Sequence, residues 1–344
     1  MKRIILLSFI ALSVIFTGRS QDSRSATDVY GVAFYNLENL FDTINNNGKY
    51  DLEFSPRGSR QWDGRKYWAK IANLAYCISE MQTRNKGIVP AIIGVSEIEN
   101  RTVLDDLVKA DPIASWGLKV VHHDSPDRRG VDVGLLYNPR FFRVLNVTNH
   151  RLVIDGNPGF RTRDQMCVTG LLGKTKVSVI VNHWPSRLGG QEQSSPLREA
   201  AAALSKQIAD SLWKLDPYQG VIIMGDLNDD PQDKSCAEVL GAKKDASKVA
   251  DHGFYNPWWK KLDDGIGTLA YKGSWNLFDQ IIVSGTLLKQ HSRGLRYLGC
   301  RVNNFDFLFD TEGTRQGYPL RTYSAGVWLN GYSDHFPTEI FLGR

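Results

Sequence analysis

Short runs of apolar residues recur along the chain and predict β-strands. Residues 221–224 are a block of four apolar side chains that ends at Gly225 and Asp226, and the segment 90–95 is nearly as apolar before Glu97. Runs of this length between polar residues are typical of strands that are buried on both faces. The same criterion predicts strands over residues 29–36, 90–97, 131–137, 142–148, 166–172, 176–183, 221–226, 277–284 and 338–342.

Apolar residues spaced by three and four positions predict helices. Asp63 can cap the first helix, whose apolar positions are Tyr67, Trp68, Ile71, Leu74, Ala75, Ile78 and Met81. Two more helices are predicted over 102–110 and 196–215. We expect an exposed loop over 45–60, which is rich in Asn, Gly and charge. The aromatic-rich segments 241–275 and 303–332 lack periodicity and are predicted to be irregular.

The order of these elements indicates the fold class. Strand–helix pairs alternate with runs of consecutive strands, which favours an α/β (α+β) fold of two packed mixed sheets with helices outside over one doubly wound parallel sheet. No repeat and no linker rich in Pro, Ser or Gly divides the chain. We therefore expect one domain over residues 29–344, preceded by a flexible polar segment at 21–28.

Residues 1–20 have the pattern of a secretory signal peptide. Lys2 and Arg3 precede an apolar run, and residues 17–20 offer small side chains for cleavage. The run is shorter than the roughly 20 residues that a membrane span needs. No cysteine for lipid attachment occurs before Cys77. We expect a secreted or periplasmic protein without a stable membrane anchor.

Composition and charge narrow the classes of partner. With 42% hydrophobic and 23% charged residues, the chain has an ordinary globular composition. Loss of residues 1–20 would remove three positive charges and reduce the net charge from +5 to +2. A polyanionic partner would therefore need a local basic surface. The four cysteines lie far apart without a C-x-x-C, which excludes a zinc motif and a disulfide framework but leaves one bridge open.

Polar residues mark the ends of six predicted strands. Each has an ordinary explanation, because Asp and Asn often form turns after strands and a lone histidine is usually a core residue. Buried polar groups cost stability unless they are paired, however, so chance rarely places them at so many strand ends. One shared site explains them together. The residues are Asn36, Glu97, His183, Asp226 with Asn228, Asp279, and Asp334 with His335.

The types of donor in this set indicate its chemistry. The chain has no nucleophile elbow with serine or cysteine, no G-x-x-x-x-G-K and no H-E-x-x-H. A few carboxylates with amides and histidines suit Mg²⁺, which takes one or two protein carboxylates and leaves its other positions to water and substrate phosphate. Mn²⁺ and Ca²⁺ stay open as alternatives. Arg187, close to His183, is a candidate for binding phosphate.

Four motifs in order give the chain a family resemblance. Tyr-Asn-Leu-Glu-Asn at 35–39, Ser-Glu-Ile-Glu at 96–99, Gly-Asp-Leu-Asn at 225–228 and Ser-Asp-His-Phe-Pro at 333–337 resemble the endonuclease/exonuclease/phosphatase superfamily. That superfamily includes deoxyribonuclease I-like and exonuclease III-like nucleases, neutral sphingomyelinases and inositol polyphosphate 5-phosphatases. The resemblance implies a four-layer α/β/β/α sandwich with the site at the rim of the two sheets.

The resemblance also implies which residues hold the metal and activate water. Asn36 and Glu97 would hold the divalent cation, with Glu38 and Asp334 nearby. Asp226 would orient the attacking water and remove its proton. Hydrolysis of a phosphate ester by such a water is the reaction that the resemblance implies.

A second group of residues would bind the phosphate, again by resemblance. Asn228 and His183 would hold its oxygens, and Asp279 would fix His335, which stabilises charge on the phosphorane. Arg129 is similar to a phosphate-binding arginine of the deoxyribonuclease branch. Residues 275–280 differ from the 5-phosphatase motif, and the loop that abasic-site enzymes insert into DNA has no counterpart here. The resemblance therefore implies the reaction more than the substrate.

We expect a monomeric, metal-dependent phosphodiesterase, and a nuclease is the first interpretation. A phosphatase or a sphingomyelinase-like enzyme with the same site is the alternative, and an inactive binding protein on the same fold is the third. Arginine and aromatic residues in predicted loops favour nucleic acid without choosing between DNA and RNA. They are Arg128, Arg129, Arg161, Arg163, Arg187, Arg315, Arg321, Trp258, Trp259, Tyr271, Trp275, Tyr318 and Tyr323.

Overall fold

The computed structural model describes residues 28–44, 52–289 and 294–344. The predicted signal peptide, residues 21–27 and the first part of the 45–60 loop lie outside these ranges. The α-helices are α1 (Gly64–Arg84), α2 (Arg101–Lys109), α3 (Gln191–Leu215) and α4 (Trp258–Asp263). Within the described ranges, no helix combines the length and hydrophobicity that crossing a membrane requires.

Two large mixed sheets form the centre of the described chain. The strands, in chain order, are β1 (Val29–Leu40), β2 (Pro90–Ile98), β3 (Lys119–His122), β4 (Asp132–Tyr137), β5 (Phe142–His150), β6 (Gln165–Leu172), β7 (Thr175–His183), β8 (Gly220–Asp226), β9 (Ala242–Lys243), β10 (Phe254–Tyr255), β11 (Leu269–Tyr271), β12 (Ser274–Asn276), β13 (Asp279–Ser284), β14 (Arg296–Val302), β15 (Tyr323–Ser324), β16 (Val327–Trp328) and β17 (Thr338–Gly343). The first sheet has the order β14-β17-β1-β2-β4-β3, and the second has the order β5-β6-β7-β8-β13-β10-β9. Two small hairpins, β11–β12 and β15–β16, lie outside them.

The sheets pack face to face, with helices outside. β1 lies against β8 and β13, and β2 lies against β7 and β8. Gly94 of β2 shows how close the sheets are, because a side chain there would collide with Met224 of β8. The buried side of α1 joins the core of the first sheet, whereas Ile208 and Trp213 of α3 pack with Ile223 on the second. The predicted four-layer α/β/β/α sandwich is confirmed.

The differences from the predicted elements lie at sheet edges and in loops. β3 and β14 are edge strands that the sequence did not predict, and α3 begins at Gln191, so that Pro196 lies inside it. Trp68 was wrongly placed on the buried face of α1, since 55% of its side chain is exposed. Phe54, in the loop predicted to be exposed, is buried and stacks on Phe41. Short helical turns occur at Ala114–Trp116, Ser235–Val239, Ala246–Lys248, Gly285–Leu287, Asp306–Leu308 and Gly313–Arg315.

The four cysteines, all within the described ranges, are free thiols. Cys77, Cys167 and Cys236 are buried, as expected for small core residues. Burial raises the pKa of the Cys77 thiol to about 12, which keeps it protonated and unreactive. The bridge that the sequence left open is therefore not formed in this structure.

Strand directions bring the six polar strand ends to one edge of the sandwich. β1 and β2 are parallel, and β17 pairs antiparallel with β1, so β17 begins where β1 ends. In the other sheet, β7 and β8 are parallel, and β13 pairs antiparallel with β8. Residues that are far apart in sequence therefore meet at this edge.

Candidate active site

Three polar residues form one row across the second sheet. His183 at the end of β7 pairs in register with Asp226 of β8, which pairs with Asp279 of β13. Side chains at paired positions of neighbouring strands lie on the same face of a sheet. Gly225 allows this arrangement, because its φ is +154° and a Cβ there would collide with the Asn182 backbone of β7.

The first sheet supplies the residues that face this row. Asn36 Nδ2 donates a hydrogen bond to Asp226 Oδ2 at 3.0 Å. His183 Nε2 lies 3.6 Å from Asp226 Oδ2 and 3.9 Å from Glu97 Oε1. Asn36 and Glu97 thus meet His183 and Asp226 in a single group, although they come from different sheets.

His335 completes the group from the loop before β17. Its Nδ1 lies 2.7 Å from Asp279 Oδ2, and its Nε2 lies 4.0 Å from Asp226 Oδ2. Ser333 holds this loop in place, because its hydroxyl donates to the Asn36 carbonyl and accepts from the His335 backbone N–H. Asp279 is fully buried, so its pairing with His335 offsets the cost of burying a carboxylate.

Four non-glycine residues at the site have left-handed backbone. Such conformations cost free energy and tend to cluster at functional sites, where surrounding contacts hold them. Side chains hold three of them here: Asn36 Oδ1 accepts from the N–H of Glu38, Asp226 Oδ1 from that of Asn228, and Glu97 Oε2 from that of Asn39. The four residues are Glu38, Asn39, Glu97 and Asn228, with φ between +48° and +59°.

The two carboxyl groups at the centre differ in proton affinity. Burial raises the pKa of Asp226 to about 7, although His335 nearby opposes the rise. Burial acts in the same direction on Glu97, but the cationic groups around it, Arg129 first and His335 among them, together outweigh burial and hold the pKa of Glu97 well below its usual range. Asp226 is therefore poised to exchange a proton near neutral pH, whereas Glu97 stays ionised.

The two histidines also differ. Burial, with Arg163 close by, holds the pKa of His183 well below its usual value, so this ring is neutral at pH 7. Burial acts in the same direction on His335, but the carboxylates of Asp279, Asp226 and Asp334 together outweigh burial and raise the pKa of His335 well above its usual value. The site therefore contains one neutral ring and one cationic ring.

A family model described as "Endonuclease/Exonuclease/phosphatase family" matches residues 31–344, which include every residue of this group. The chain belongs to the endonuclease/exonuclease/phosphatase family. Membership indicates a phosphoric ester hydrolase, and enzymes of this family typically depend on a divalent metal. A comparison with curated protein sequences gave no match.

Solved structures of the family have the same fold. Truncated TDP2 of Caenorhabditis elegans is 16% identical with a TM-score of 0.55, over 92% of this chain and 98% of that one. TDP2 of D. rerio, complexed with a single strand DNA product, is 14% identical with a TM-score of 0.53, over 92% and 99%. Mannosyl-6-phosphatase of Bacteroides thetaiotaomicron is 16% identical with a TM-score of 0.53, over 91% and 99%. At these identities the similarity shows the fold alone.

Glu38, which the resemblance implies to lie near the metal, is bonded to neighbouring protein groups in this structure. Its backbone is left-handed, with φ of +48°. Its Oε1 accepts from Arg321 Nε at 3.1 Å, and its Oε2 accepts from the backbone N–H and hydroxyl of Thr322. Lys70 Nζ lies 3.6 Å from the same Oε2. Both carboxylate oxygens are therefore occupied by protein donors.

Asp334 and Arg129 lie at the rim of the site. Arg321 Nη2 donates to Asp334 Oδ2 at 2.9 Å, and Asp334 Oδ1 lies 3.9 Å from His335 Nε2. Arg129 Nη1 lies 3.3 Å from Glu97 Oε1. Asp334 thus lies next to His335 and Arg129 next to Glu97, and their roles toward metal and phosphate stay predictions.

Arg187 is held by groups of the protein in this structure. Its Nε donates to the Asn228 carbonyl and its Nη2 to Asp233 Oδ2 at 2.6 Å, while Nη1 donates to Gln191. Its guanidinium also lies 4.4 Å from the centre of the Phe278 ring. Every donor nitrogen of its guanidinium is thus bonded within the protein, and its binding of substrate phosphate stays a prediction.

Sequence reasoning missed the residues that clamp the loop after Asp226. Asp229 forms a buried ion pair with Arg198 of α3 at 2.6 Å, and Asp230 accepts from the Leu277 N–H and the Asn276 amide. Four aspartates within 226–233 indicate that the acids after Asp226 need partners. The sequence alone does not show which basic residues pair with them. Asn228 lies beyond the end of β8.

Asn228 is also restrained within the site. Its Nδ2 donates to the Trp184 carbonyl at 3.0 Å, and this leaves its second amide hydrogen for a ligand. Arg163 donates to the His183 and Trp184 carbonyls and is 7% exposed, so it holds this segment from behind. Arg163, one of the loop arginines taken to favour nucleic acid, is therefore buried and bonded to backbone carbonyls. Trp258 is likewise buried, with its N–H bonded to the Ile281 carbonyl.

A separate group of metal-type ligands lies at the β3–β4 edge. His122, Asp124 and Asp132 are close enough to hold an ion, and His122 Nε2 lies 3.1 Å from Asp132 Oδ2. Asp132 Oδ1 already accepts from the Ser125 backbone N–H. These internal hydrogen bonds satisfy the buried side chains of His122 and Asp132, so their burial does not require a bound ion.

Proposed function

We propose that the protein is an exported, divalent-metal-dependent phosphodiesterase that cleaves nucleic acid with an activated water. One observation carries this proposal: Asp226 lies within 4.0 Å of Asn36, His183 and His335, with Glu97 next to His183. Export is inferred from residues 1–20, which carry the signal pattern. We further propose that the enzyme acts as a monomer.

The residues at the site fit a hard divalent cation. Glu97 is held ionised, and Asn36, which pairs with Ser96 of the neighbouring strand, supplies an amide oxygen. Mg²⁺ prefers such oxygen donors and keeps several waters, while Mn²⁺ and Ca²⁺ accept similar ligands. The site holds three carboxylates, Glu97, Asp226 and Asp279. When all three are ionised, their negative charge exceeds the positive charge of Arg129 and protonated His335 by one. This excess favours a bound cation. When bound, such an ion supplies polarisation of the phosphoryl oxygen.

Each side chain then has a defined task. Asp226 accepts the proton of the attacking water, since its raised pKa makes it a better base than an exposed aspartate. Neutral His183 and the amide of Asn228 donate hydrogen bonds to phosphate oxygens. Cationic His335, held by Asp279 at 2.7 Å, stabilises the charge that develops on phosphorus oxygens in the transition state.

Nucleic acid is the preferred substrate, and a phosphate monoester is the second candidate. One neighbour of the same fold is complexed with a single strand DNA product, and another is a mannosyl-6-phosphatase. Arg129 and Arg321 both lie at the rim of the site, which suits the neighbouring charges of a polynucleotide. The same arginines also suit the second charge of a monoester dianion, and this supports the alternative.

A substrate screen with the chain lacking residues 1–20 tests this proposal. Plasmid DNA, RNA, bis(p-nitrophenyl) phosphate, p-nitrophenyl phosphate and sphingomyelin are each incubated with Mg²⁺, Mn²⁺, Ca²⁺ or EDTA. We expect metal-dependent cleavage of DNA or RNA that weakens steeply as salt rises. The Asp226→Asn variant, purified in parallel, controls for a contaminating nuclease. Turnover of the monoester or the lipid without cleavage of nucleic acid would contradict the proposed substrate.

A further inference from the structure

A small pocket opens next to Glu38, on the side of the site that faces the first sheet. It has a volume of about 60 Å³. Its walls combine two guanidinium groups, an amide, two aromatic rings and one carboxylate. The lining side chains are Arg60, Arg321, Asn39, Phe54, Tyr323 and Glu38.

Arg321 connects this pocket with the catalytic group. Its Nε donates to Glu38 Oε1 and its Nη2 donates to Asp334 Oδ2, next to His335 in the chain. Among the described residues, Nη1 of Arg321 has no hydrogen-bond partner. The guanidinium is thus fixed in orientation by two carboxylates while one of its nitrogens stays available to a ligand.

Arg60 forms the opposite wall. It lies over the rings of Tyr323 and Phe54, at 5.1 and 5.9 Å from their centres, and its Nε lies 2.8 Å from Glu53 Oε1. Its two terminal nitrogens have no partner in the described part of the chain. Stacking on aromatic rings holds a guanidinium in place and leaves its edge free for an anion.

The pocket is preformed, because two loops are tied together beneath it. The Tyr323 hydroxyl and the Lys66 ammonium both donate to the Arg60 carbonyl, at 2.8 and 2.9 Å. Trp62 packs between the loops and donates its N–H to the Phe41 carbonyl. A ligand would therefore meet walls that do not need to be ordered first.

We propose that this pocket is a subsite for a second phosphate group of the substrate, bound between Arg60 and Arg321. The inference rests on the proposed function, because it places the second phosphate on the same molecule as the bond that is cut. Guanidinium groups match the geometry of phosphate oxygens and bind them by charge-assisted hydrogen bonds. A polynucleotide carries such a phosphate one nucleotide from the bond that is cleaved, whereas a simple monoester does not.

The competing explanation is structural. Arg60 and Glu53 are both about one-third exposed, so their ion pair contributes little to stability. If Arg60 served only to pack on Tyr323 and Phe54, its removal would lower the melting temperature and would affect all substrates alike. A comparison of two substrates that differ only in the second phosphate separates these explanations.

The test uses the p-nitrophenyl ester of thymidine 5′-phosphate with and without a 3′-phosphate, at constant ionic strength with Mg²⁺. We expect the wild-type enzyme to show a higher kcat/KM for the 3′-phosphorylated ester, by roughly 10- to 100-fold. Arg60→Ala should bring this ratio close to one, and Arg60→Lys should give an intermediate ratio. Arg57→Ala is the matched control, because Arg57 is exposed on the same loop and its removal changes the net charge equally.

A binding measurement separates the subsite from the reaction. Thymidine 3′,5′-bisphosphate and thymidine 5′-monophosphate are titrated calorimetrically into metal-free protein, where no turnover occurs. We expect the bisphosphate to bind the wild type and Arg57→Ala more tightly, with the difference lost in Arg60→Ala. Equal binding of both nucleotides by the wild type would overturn the subsite. If no ester is hydrolysed, the proposed function fails, and the calorimetric difference alone decides whether the subsite exists.

Discussion

Asn36 and Asp226, 190 positions apart in the chain, are joined by a 3.0 Å hydrogen bond that links the two sheets. The orientation of the amide is fixed, because Asn36 Oδ1 accepts from the Glu38 N–H while Nδ2 points at Asp226. A donor to a carboxylate favours its ionised form. Asn36 therefore helps to keep Asp226 ionised, which is the form that can accept a proton.

This relationship predicts the effect of Asn36→Ala on the pH profile. Loss of the donor should raise the pKa of Asp226 further, so the rise of kcat/KM with pH should move to higher pH. We also expect the rate to fall by about 10- to 100-fold, since a metal ligand is lost as well. The pH dependence of kcat/KM at saturating Mg²⁺ measures both effects. An unchanged profile would show that the bond does not influence Asp226.

Glu97→Gln should weaken metal binding more than it impairs the chemical step. The substitution removes the ionised carboxylate but keeps the size of the side chain. We expect the Mg²⁺ dependence of activity to move to concentrations about 10- to 100-fold higher, with partial recovery of activity at high Mg²⁺. Calorimetric titration of Mg²⁺ checks the affinity directly. Glu312→Gln, an exposed change of equal charge, is the control.

His335 and Asp279 should act as a unit. The 2.7 Å contact between Nδ1 and Oδ2 keeps the ring charged and oriented, so Asp279→Asn should reduce kcat nearly as much as His335→Ala. The double variant should lose little more than either single variant. Rates of the three variants and the wild type form a double-mutant cycle. Fully additive losses would argue against the pair.

The central strands and the polar strand ends were predictable from the sequence because local pattern determines them. The apolar run before Asp226 predicts β8, and the clustering of polar strand ends predicts one site. β14 escaped prediction because it is an edge strand with charged and glycine positions and only partial burial. The partners of Glu38 and Arg187 could not be predicted either, since they depend on left-handed backbone and on loops that meet only in the folded chain.

The stability of the metal-free protein should depend on pH through Asp226. Its pKa of about 7 in the folded state lies well above that of an unfolded aspartate, so the folded state holds the extra proton between about pH 4 and pH 7. Stability should therefore fall as pH rises through this window. Asp226→Asn cannot ionise, so it avoids this fall in stability. At pH 8 the variant should be more stable than the wild type by on the order of a few kcal/mol. At pH 5 the difference should be smaller. Urea unfolding at both pH values, with EDTA present, measures the difference in the free energy of unfolding between the variant and the wild type.

The role of Asp226 as the base that activates water is the central claim, and the rate of Asp226→Asn tests it most directly. Hydrolysis of bis(p-nitrophenyl) phosphate with saturating Mg²⁺ is compared with that of the wild type, alongside the Mg²⁺ affinity of each protein. We expect kcat to fall by on the order of 10²–10⁴ while the Mg²⁺ affinity changes little. Turnover within a few-fold of the wild type would contradict the assignment of Asp226 as the base.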